Sequence, residues 1–357
     1  MKVFVLRKSQ NLSRSWSSAH IVEALRQSRL DAVEAAPDAP VGRGDVALVP
    51  GTGTWTLSPA VEQFLRSAGN QGAKRVVWQL EPLLPPVSSV GTERIVQNLL
   101  DVSSGRDTSP WTQAPRDWLM CQRLAWACRT EPWSHKAWSG HIFKYPLQQT
   151  RGILAHLRLG LVDRTLVSLA PRQAFLQRYD IPSAFVPFGH IPVFGRWLGE
   201  EKRDIDVLFL GRLNSRRRSL IRQVQRGLSR AGFELTVVTR DCYGEERTKL
   251  LNRTKIILNL HKFPWESPGI RLLMAMGCKA LVVSEPAPDM QPYLDGQHMV
   301  VAPIPGLVET LVRYLKDDGA RRSIVENAYR FATENMALGR VLSPALSAVG
   351  AEAGVQR

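Results

Sequence analysis

The stretch Ile205-Asp206-Val207-Leu208-Phe209-Leu210-Gly211-Arg212 is a mostly apolar run closed by a glycine and an arginine. It reads as a buried β-strand that ends in a tight turn and points its cation outward. Further along, Asn259-Leu260-His261-Lys262-Phe263-Pro264-Trp265-Glu266-Ser267-Pro268-Gly269 opens the segment Ile270-Arg271-Leu272-Leu273-Met274-Ala275-Met276-Gly277. This reads as strand, loop and helix. Ser267 suits an N-cap, Pro268 the first helical position, and Gly269 a close approach of backbone to a ligand. The free N–H groups of such a helix end attract an anion. Arg212 and the run Arg216-Arg217-Arg218 supply the cations a diphosphate needs, because a guanidinium donates two parallel hydrogen bonds to phosphate. The plain alternative is a capped helix beside a solvated basic face.

The same α/β rhythm fills the rest of the chain. Apolar runs near the N-terminus, at 45–49 and at 75–80, alternate with helical patterns at 17–27 and 59–68. That order predicts parallel sheets with right-handed crossovers. Ligands of such sheets sit beyond the carboxyl ends of the strands. This places Gly51-Thr52-Gly53-Thr54 and Glu81 on a functional edge. The glycine-bounded polar stretch from Gly195 to Arg203 reads as an interdomain connection. The expected division is 1–195, 196–335 and a C-terminal helix or tail, 336–357, returning to the first domain.

With 357 residues, 44% of them apolar, the chain has enough material for two packed cores. No stretch reaches the ~20 apolar residues of a membrane-spanning helix. Met1-Lys2-Val3-Phe4-Val5-Leu6-Arg7-Lys8 reads as a first strand rather than a signal peptide. The four cysteines (Cys121, Cys128, Cys242, Cys278) form no C-x-x-C pair, which argues for reduced thiols in a cytoplasmic protein and against zinc or disulfides. The net charge of +15 is spread over both halves. It attracts nucleotide diphosphates, anionic membrane surfaces and nucleic acid alike. Half of the ten tryptophans (Trp111, Trp118, Trp126, Trp133, Trp138) lie between 109 and 147, interleaved with arginines and lysines. Core packing, an acceptor-binding lid, a membrane-surface contact and a single-strand nucleic-acid site all remain open for this segment. The spacing of Trp118, Trp126 and Trp133 predicts one helix face, shared with Cys121 and Cys128.

From about residue 180 to 335 the chain resembles the nucleotide-sugar domain of bacterial group 1 glycosyltransferases, in particular the branch of spore-maturation CgeB-type proteins. The resemblance rests on Val186-Pro187-Phe188-Gly189, Asp206 to Arg212 with Arg217-Arg218, and Ile257-Leu258-Asn259-Leu260-His261. It continues through Ser267-Pro268-Gly269-Ile270-Arg271, Met276 to Glu285 and Tyr293-Leu294-Asp295-Gly296. It implies the GT-B fold, two Rossmann-like domains facing a cleft. It further implies transfer of a sugar from a nucleotide diphosphate to an acceptor, with no metal or other cofactor. The donor-binding set would be Gly211, Arg212, Arg217, His261, Glu266, Ser267, Pro268, Gly269, Arg271 and Glu285, with Gly189 and His190 elsewhere in the cleft. Arg212 and Arg217 would meet the diphosphate, and Glu266 matches the first of the family's two glutamates, which touches the donor sugar.

The second glutamate falls at position 274, where this chain has Met274. Three consequences stay open: Glu285 or a backbone group takes over the ribose, nucleotide recognition is altered, or activity is lost. For a catalytic base the first choice is Glu81 and the second His20. The expected partners are a nucleotide sugar and an acidic or lipid-linked acceptor, with contact to an anionic membrane surface. The competing reading is an inactive binding protein of the same fold, recruited to nucleic acid or membrane.

Overall fold

The computed structural model describes residues 1–7, 17–51, 58–80, 82–84, 110–130, 141–199, 202–240, 242–266 and 269–355. Among them, the first domain has strands β1 (Val3–Leu6), β2 (Ala32–Ala35), β3 (Val46–Gly51), β4 (Lys74–Gln79), β5 (Arg164–Val167) and β6 (Ser183–Phe185). They form one parallel sheet in the order β2-β1-β3-β4-β5-β6. Its helices are α1 (Ser18–Gln27), α2 (Pro59–Asn70), α3 (Pro110–Ala127), α4 (His141–Arg158) and α5 (Ala170–Gln177). The second domain has β7 (Ile205–Leu210), β8 (Leu235–Val238), β9 (Thr254–Asn259), β10 (Leu281–Ser284) and β11 (Val300–Val301). This sheet is also parallel, in the order β11-β10-β9-β7-β8. Helices α6 (Ser215–Arg230), α7 (Gly244–Asn252), α8 (Gly269–Gly277), α9 (Leu307–Lys316) and α10 (Asp318–Arg330) flank it, and α11 (Leu338–Val355) ends the fold.

Aliphatic residues without polar interruption make the central strands. Val46 to Val49, Val76 to Trp78 and Ile256 to Leu258 are buried on both faces, as strands covered by helices on each side must be. Three local departures from the sequence reading have physical causes. Helix α6 takes in the whole run Arg216-Arg217-Arg218, which reads in sequence only as a source of cations, because Asn214 caps it, its side chain accepting from the Arg217 N–H at 2.8 Å. Strand β2 was not anticipated, since Ala-Val-Glu-Ala has little strand propensity of its own; pairing with β1 makes it. The helix carrying Trp118 and Trp126 ends at Ala127, and Trp133 lies outside the described residues. Trp118 and Trp126 are exposed whereas Cys121 and Cys128 are buried, so the two pairs face opposite ways.

The domains are joined through packed side chains. The loop after β9 inserts Phe263 and Trp265 into an apolar cluster of the first domain that includes Leu83, Leu124, Phe143 and Leu147. Trp265 is fully buried and stacks on Phe143, with ring centroids 5.3 Å apart and planes 5° from parallel. At the other side of the molecule, α11 lies on α1 and the first sheet, adding Leu338, Leu342, Leu346 and Val349 to the core around Val3, Ile21 and Leu25. A Cβ on Gly339 would sit 2.0 Å from the Ala24 carbonyl oxygen, so the two helices meet at backbone distance there. Among the described residues no helix is long and apolar enough to cross a membrane.

The Trp265 stack is a fully buried aromatic contact between the halves. Trp265→Ala is expected to cost about 3–5 kcal/mol, read as a lowered midpoint in urea unfolding.

Candidate active site

The strand order of the second sheet reverses between β7 and β9, and a ligand of such a sheet binds outside the carboxyl ends of the strands at that point. A cleft of about 830 Å³ opens there. Leu210 and Gly211 from the end of β7, Thr239 and Arg240 beyond β8, and Ile270, Arg271 and Met274 of α8 line it. Gly211 has φ +149°, a backbone that side chains rarely adopt, and a Cβ would stand 2.7 Å from an Arg271 guanidinium nitrogen. Glycine at this position lets Arg271 lie against the strand end. Arg271 Nη1 donates to Asn259 Oδ1 at 2.8 Å, tying α8 to the end of β9 at the switch point. Burial lowers its pKa to about 10, so it stays cationic at neutral pH.

Among the described residues five arginines line the cleft: Arg212, Arg218, Arg240, Arg247 and Arg271. Arg212, Arg218 and Arg240 are exposed, and among the described residues their side chains hold no hydrogen bond or ion pair. Arg247 is buried; its Nη2 donates to the Val193 carbonyl at 2.9 Å while Nε has no partner. No described lining residue is a carboxylate. Such a surface holds an anion by several charge-assisted hydrogen bonds.

The expected site residues fall into separate groups. Gly211, Arg212 and Arg271 come together in the cleft. Arg217 does not line it. It points inward, donating from Nη1 to the Arg212 carbonyl at 2.9 Å and from Nη2 to the Leu260 carbonyl at 2.6 Å. Burial, with Arg271 nearby, lowers its pKa to about 9. Arg218, next in the run, faces the cleft instead. Arg240 and Arg247 were not singled out from sequence, although the position of Arg240 just past a strand end was a signal available for it. Gly269 opens α8, and a Cβ there would meet the Tyr293 hydroxyl at 2.7 Å. Ser267, Pro268 and Glu81 lie outside the described residues.

Two carboxylates of the expected set are engaged by arginines. Glu285 is clasped by Arg216 through both oxygens and also accepts from the His261 backbone N–H. Burial pushes its pKa up, but Arg216 and His261 outweigh that and hold it below the usual range. His261 is fully buried and donates from Nε2 to the Glu285 carbonyl at 2.9 Å, leaving Nδ1 unpaired. Glu266 is gripped across the domain boundary by Arg172 of α5, Nε to Oε1 and Nη2 to Oε2, both at 2.8 Å. Arg172 Nη1 also donates to Ser168 Oγ at 3.0 Å, and both partners of the ion pair are buried.

His190 and His20 do not line the arginine-rich cleft. His190 donates from Nε2 to the Gly195 carbonyl at 2.9 Å, and its backbone pairs with Met336 and Leu338. Burial lowers its pKa. Gly189 packs against Leu338, where a Cβ would fall 2.3 Å from that residue's Cα. Both belong to the seam crossed by the chain as it enters α11. His20 lines a second cleft, of about 480 Å³, between α1 and α7. Its Nδ1 accepts from the Ser17 N–H at 3.0 Å, which leaves the proton of the neutral ring on Nε2.

Removing one partner of a buried ion pair strands the other charge. Glu266→Gln is therefore expected to cost about 3–5 kcal/mol, whereas Arg172→Met with Glu266→Leu together costs much less; a urea-unfolding double-mutant cycle measures the coupling. Burial also lowers the His261 pKa to about 4, against about 6.5 in an unfolded chain. Between those values the unfolded chain takes up a proton that the folded one refuses, so stability falls as pH drops from 6.5 towards 4. His261→Asn is expected to remove on the order of 2 kcal/mol of the loss between pH 7 and pH 5, measured as urea midpoints at the two pH values.

Residues 211–340 match the model of a family described as glycosyl transferase-like. No curated protein matches the chain. Among solved structures, TarM superposes with a TM-score of 0.52 at 10% identity over 85% of this chain and 54% of its own. A single-site TarM variant from S. aureus, solved with fondaparinux, alpha-GlcNAc-glycerol and UDP, gives 0.51 at 9% identity over 85% and 55%. The chain thus spans about half the length of TarM. WaaG, a glycosyltransferase involved in lipopolysaccharide biosynthesis, gives 0.50 at 12% identity over 98% of this chain and 99% of its own. The chain has the GT-B fold, two parallel-sheet α/β domains, and the glycosyl transferase-like match begins at Gly211, at the mouth of the arginine-lined cleft.

Proposed function

We propose that this protein is a glycosyltransferase that moves a sugar from a nucleoside diphosphate to an acceptor held by the first domain. The observation that carries this is the cleft of five arginines at the β7/β9 switch point, inside the segment that matches the glycosyl transferase-like model. The UDP found with the TarM variant supports a nucleotide donor of this kind. The motifs quoted above support the CgeB-like branch.

In this reading Arg212 and Arg218 bind the diphosphate, Arg271 holds its place at the strand end, and the N-terminus of α8 adds its dipole. Those groups meet the charge that develops on the leaving diphosphate as the sugar–oxygen bond breaks, which makes the transfer metal-independent. The acceptor hydroxyl attacks the anomeric carbon and gives its proton to a base. Glu81 remains the first candidate, because the Ser17 hydrogen bond occupies the Nδ1 of His20. Glu266, held by Arg172, is the carboxylate that the family resemblance assigns to the donor sugar, and buried His261 braces the same loop through the Glu285 carbonyl. The protein works in the cytoplasm, and its acceptor is acidic or lipid-linked.

A second reading, an inactive binding protein on the same scaffold, is favoured by Met274 on the cleft wall and by the engagement of both Glu266 and Glu285 by arginines. Thermal shift against UDP-, GDP-, ADP- and dTDP-sugars separates the two. Stabilisation by several degrees with one donor, followed by product formation, supports transfer; no shift with any nucleotide leaves the binding protein. Arg212→Ala is expected to weaken donor binding by about 10- to 100-fold while leaving the unfolding midpoint of the free protein unchanged. Unaltered donor affinity in that variant would remove the diphosphate from this cleft.

A further inference from the structure

Helix α3 is apolar on two opposite sides. Its inner face, Cys121 and Leu124, continues into Cys128 and is buried against Phe143, Leu147 and Ile153. Its outer face carries Trp118 at 58% exposure, Leu119 at 48% and Trp126 at 68%. At about 100° per residue, Trp118, Leu119, Gln122, Arg123 and Trp126 fall within roughly 140° of arc. A helix facing water is expected to be polar on that side. A contiguous aromatic face left open marks a surface that meets something other than water.

The charge around this face is predominantly positive, with Asp117 the acidic residue of α3, directly before Trp118. Residues 118–129 and 141–158 contain no Asp or Glu, yet they carry Arg123, Arg129, Lys144, Arg151 and Arg158. Arg123, Arg129, Lys144 and Arg158 are exposed. Tryptophan placed among arginines suits the boundary between lipid headgroups and acyl chains, where the ring sits in the apolar layer and the cations reach phosphate. Single-stranded nucleic acid prefers a charged groove with stacking platforms, whereas these exposed side chains lie on one face of a single helix.

We propose that the outer face of α3, with Trp118, Leu119, Arg123 and Trp126 at its centre, docks on an anionic lipid bilayer. The docking stands whether or not the transferase reading holds, and bears on it through position. Helix α3 packs on α4, and Phe143 of α4 stacks on Trp265, the residue before Glu266. A bilayer seated on α3 would therefore lie one helix layer from the interdomain seam, where a lipid-borne acceptor can reach a donor.

The full chain is tested by co-sedimentation with phosphatidylcholine vesicles with and without about 30% phosphatidylglycerol. Binding is expected to the anionic vesicles only, with a blue shift of tryptophan emission. Trp118→Ser with Trp126→Ser, and separately Arg123→Glu, should each weaken it by about tenfold or more. All three positions are exposed, and unchanged thermal unfolding of both variants confirms that the fold is intact. Binding to neither vesicle overturns the proposal. So does equal binding by wild type and both variants, which would assign attachment to the overall positive charge. Preferential binding of single-stranded RNA, or a dimer dissolved by the tryptophan substitutions, overturns it in favour of those occupants.

Discussion

The pairing of Arg172 with Glu266 fixes how the two halves of this protein face each other. Both charges are out of water, and each survives burial because the other sits at hydrogen-bond distance with two parallel contacts. Two guanidinium nitrogens meeting two carboxylate oxygens admit little slippage. The neighbouring Trp265 supplies the apolar area, and the ion pair supplies the register. Together they set the loop that follows β9 against α5, and with it the distance between the strand ends of one domain and those of the other. Any chemistry in the cleft between them inherits that geometry.

Arginines elsewhere divide into two kinds. Arg172, Arg216, Arg217 and Arg271 are wholly or largely withdrawn from solvent, and each is spent on a carboxylate, a carbonyl or a side-chain amide. Arg212, Arg218 and Arg240 stand at the cleft mouth with their donors free among the described residues. The first kind builds a rigid rim and the second leaves binding capacity on it. Preorganised donors of this sort act on developing charge without first rearranging. The positive surplus of the sequence is therefore partly structural, and only a fraction of it faces a ligand.

Much of this was legible in the amino-acid order. The uninterrupted aliphatic runs at Val46, Val76 and Ile256 specify strands covered on both faces, and Gly211 followed by Arg212 marks the strand end that lines the cleft. Less legible was which arginine of the run at 216 to 218 faces the ligand. That depends on the phase of α6, which the Asn214 cap sets, and a shift of one residue turns a side chain by about 100°. Arg172 could not be matched to Glu266 in advance, because the partners are 94 residues apart and their meeting is a property of the assembled domains. Helix α4, broken in pattern by Pro146 and Gly152, owes its existence to packing more than to periodicity. The tryptophan spacing misled for a related reason: the helix stops before Trp133, and its aromatic side is the one that stays outside.

Helix α11 belongs to the first domain in space and to the last stretch in sequence. A ribosome making this chain releases Val3, Ile21 and Leu25 early, yet Leu338, Leu342 and Leu346 that cover them emerge only after the whole second sheet has been made. Until then the nascent first domain carries an uncovered oily surface, the kind of patch that recruits chaperones or sticks to neighbouring chains. Vectorial, domain-by-domain maturation is thereby denied to this protein, and its two lobes reach their finished state together.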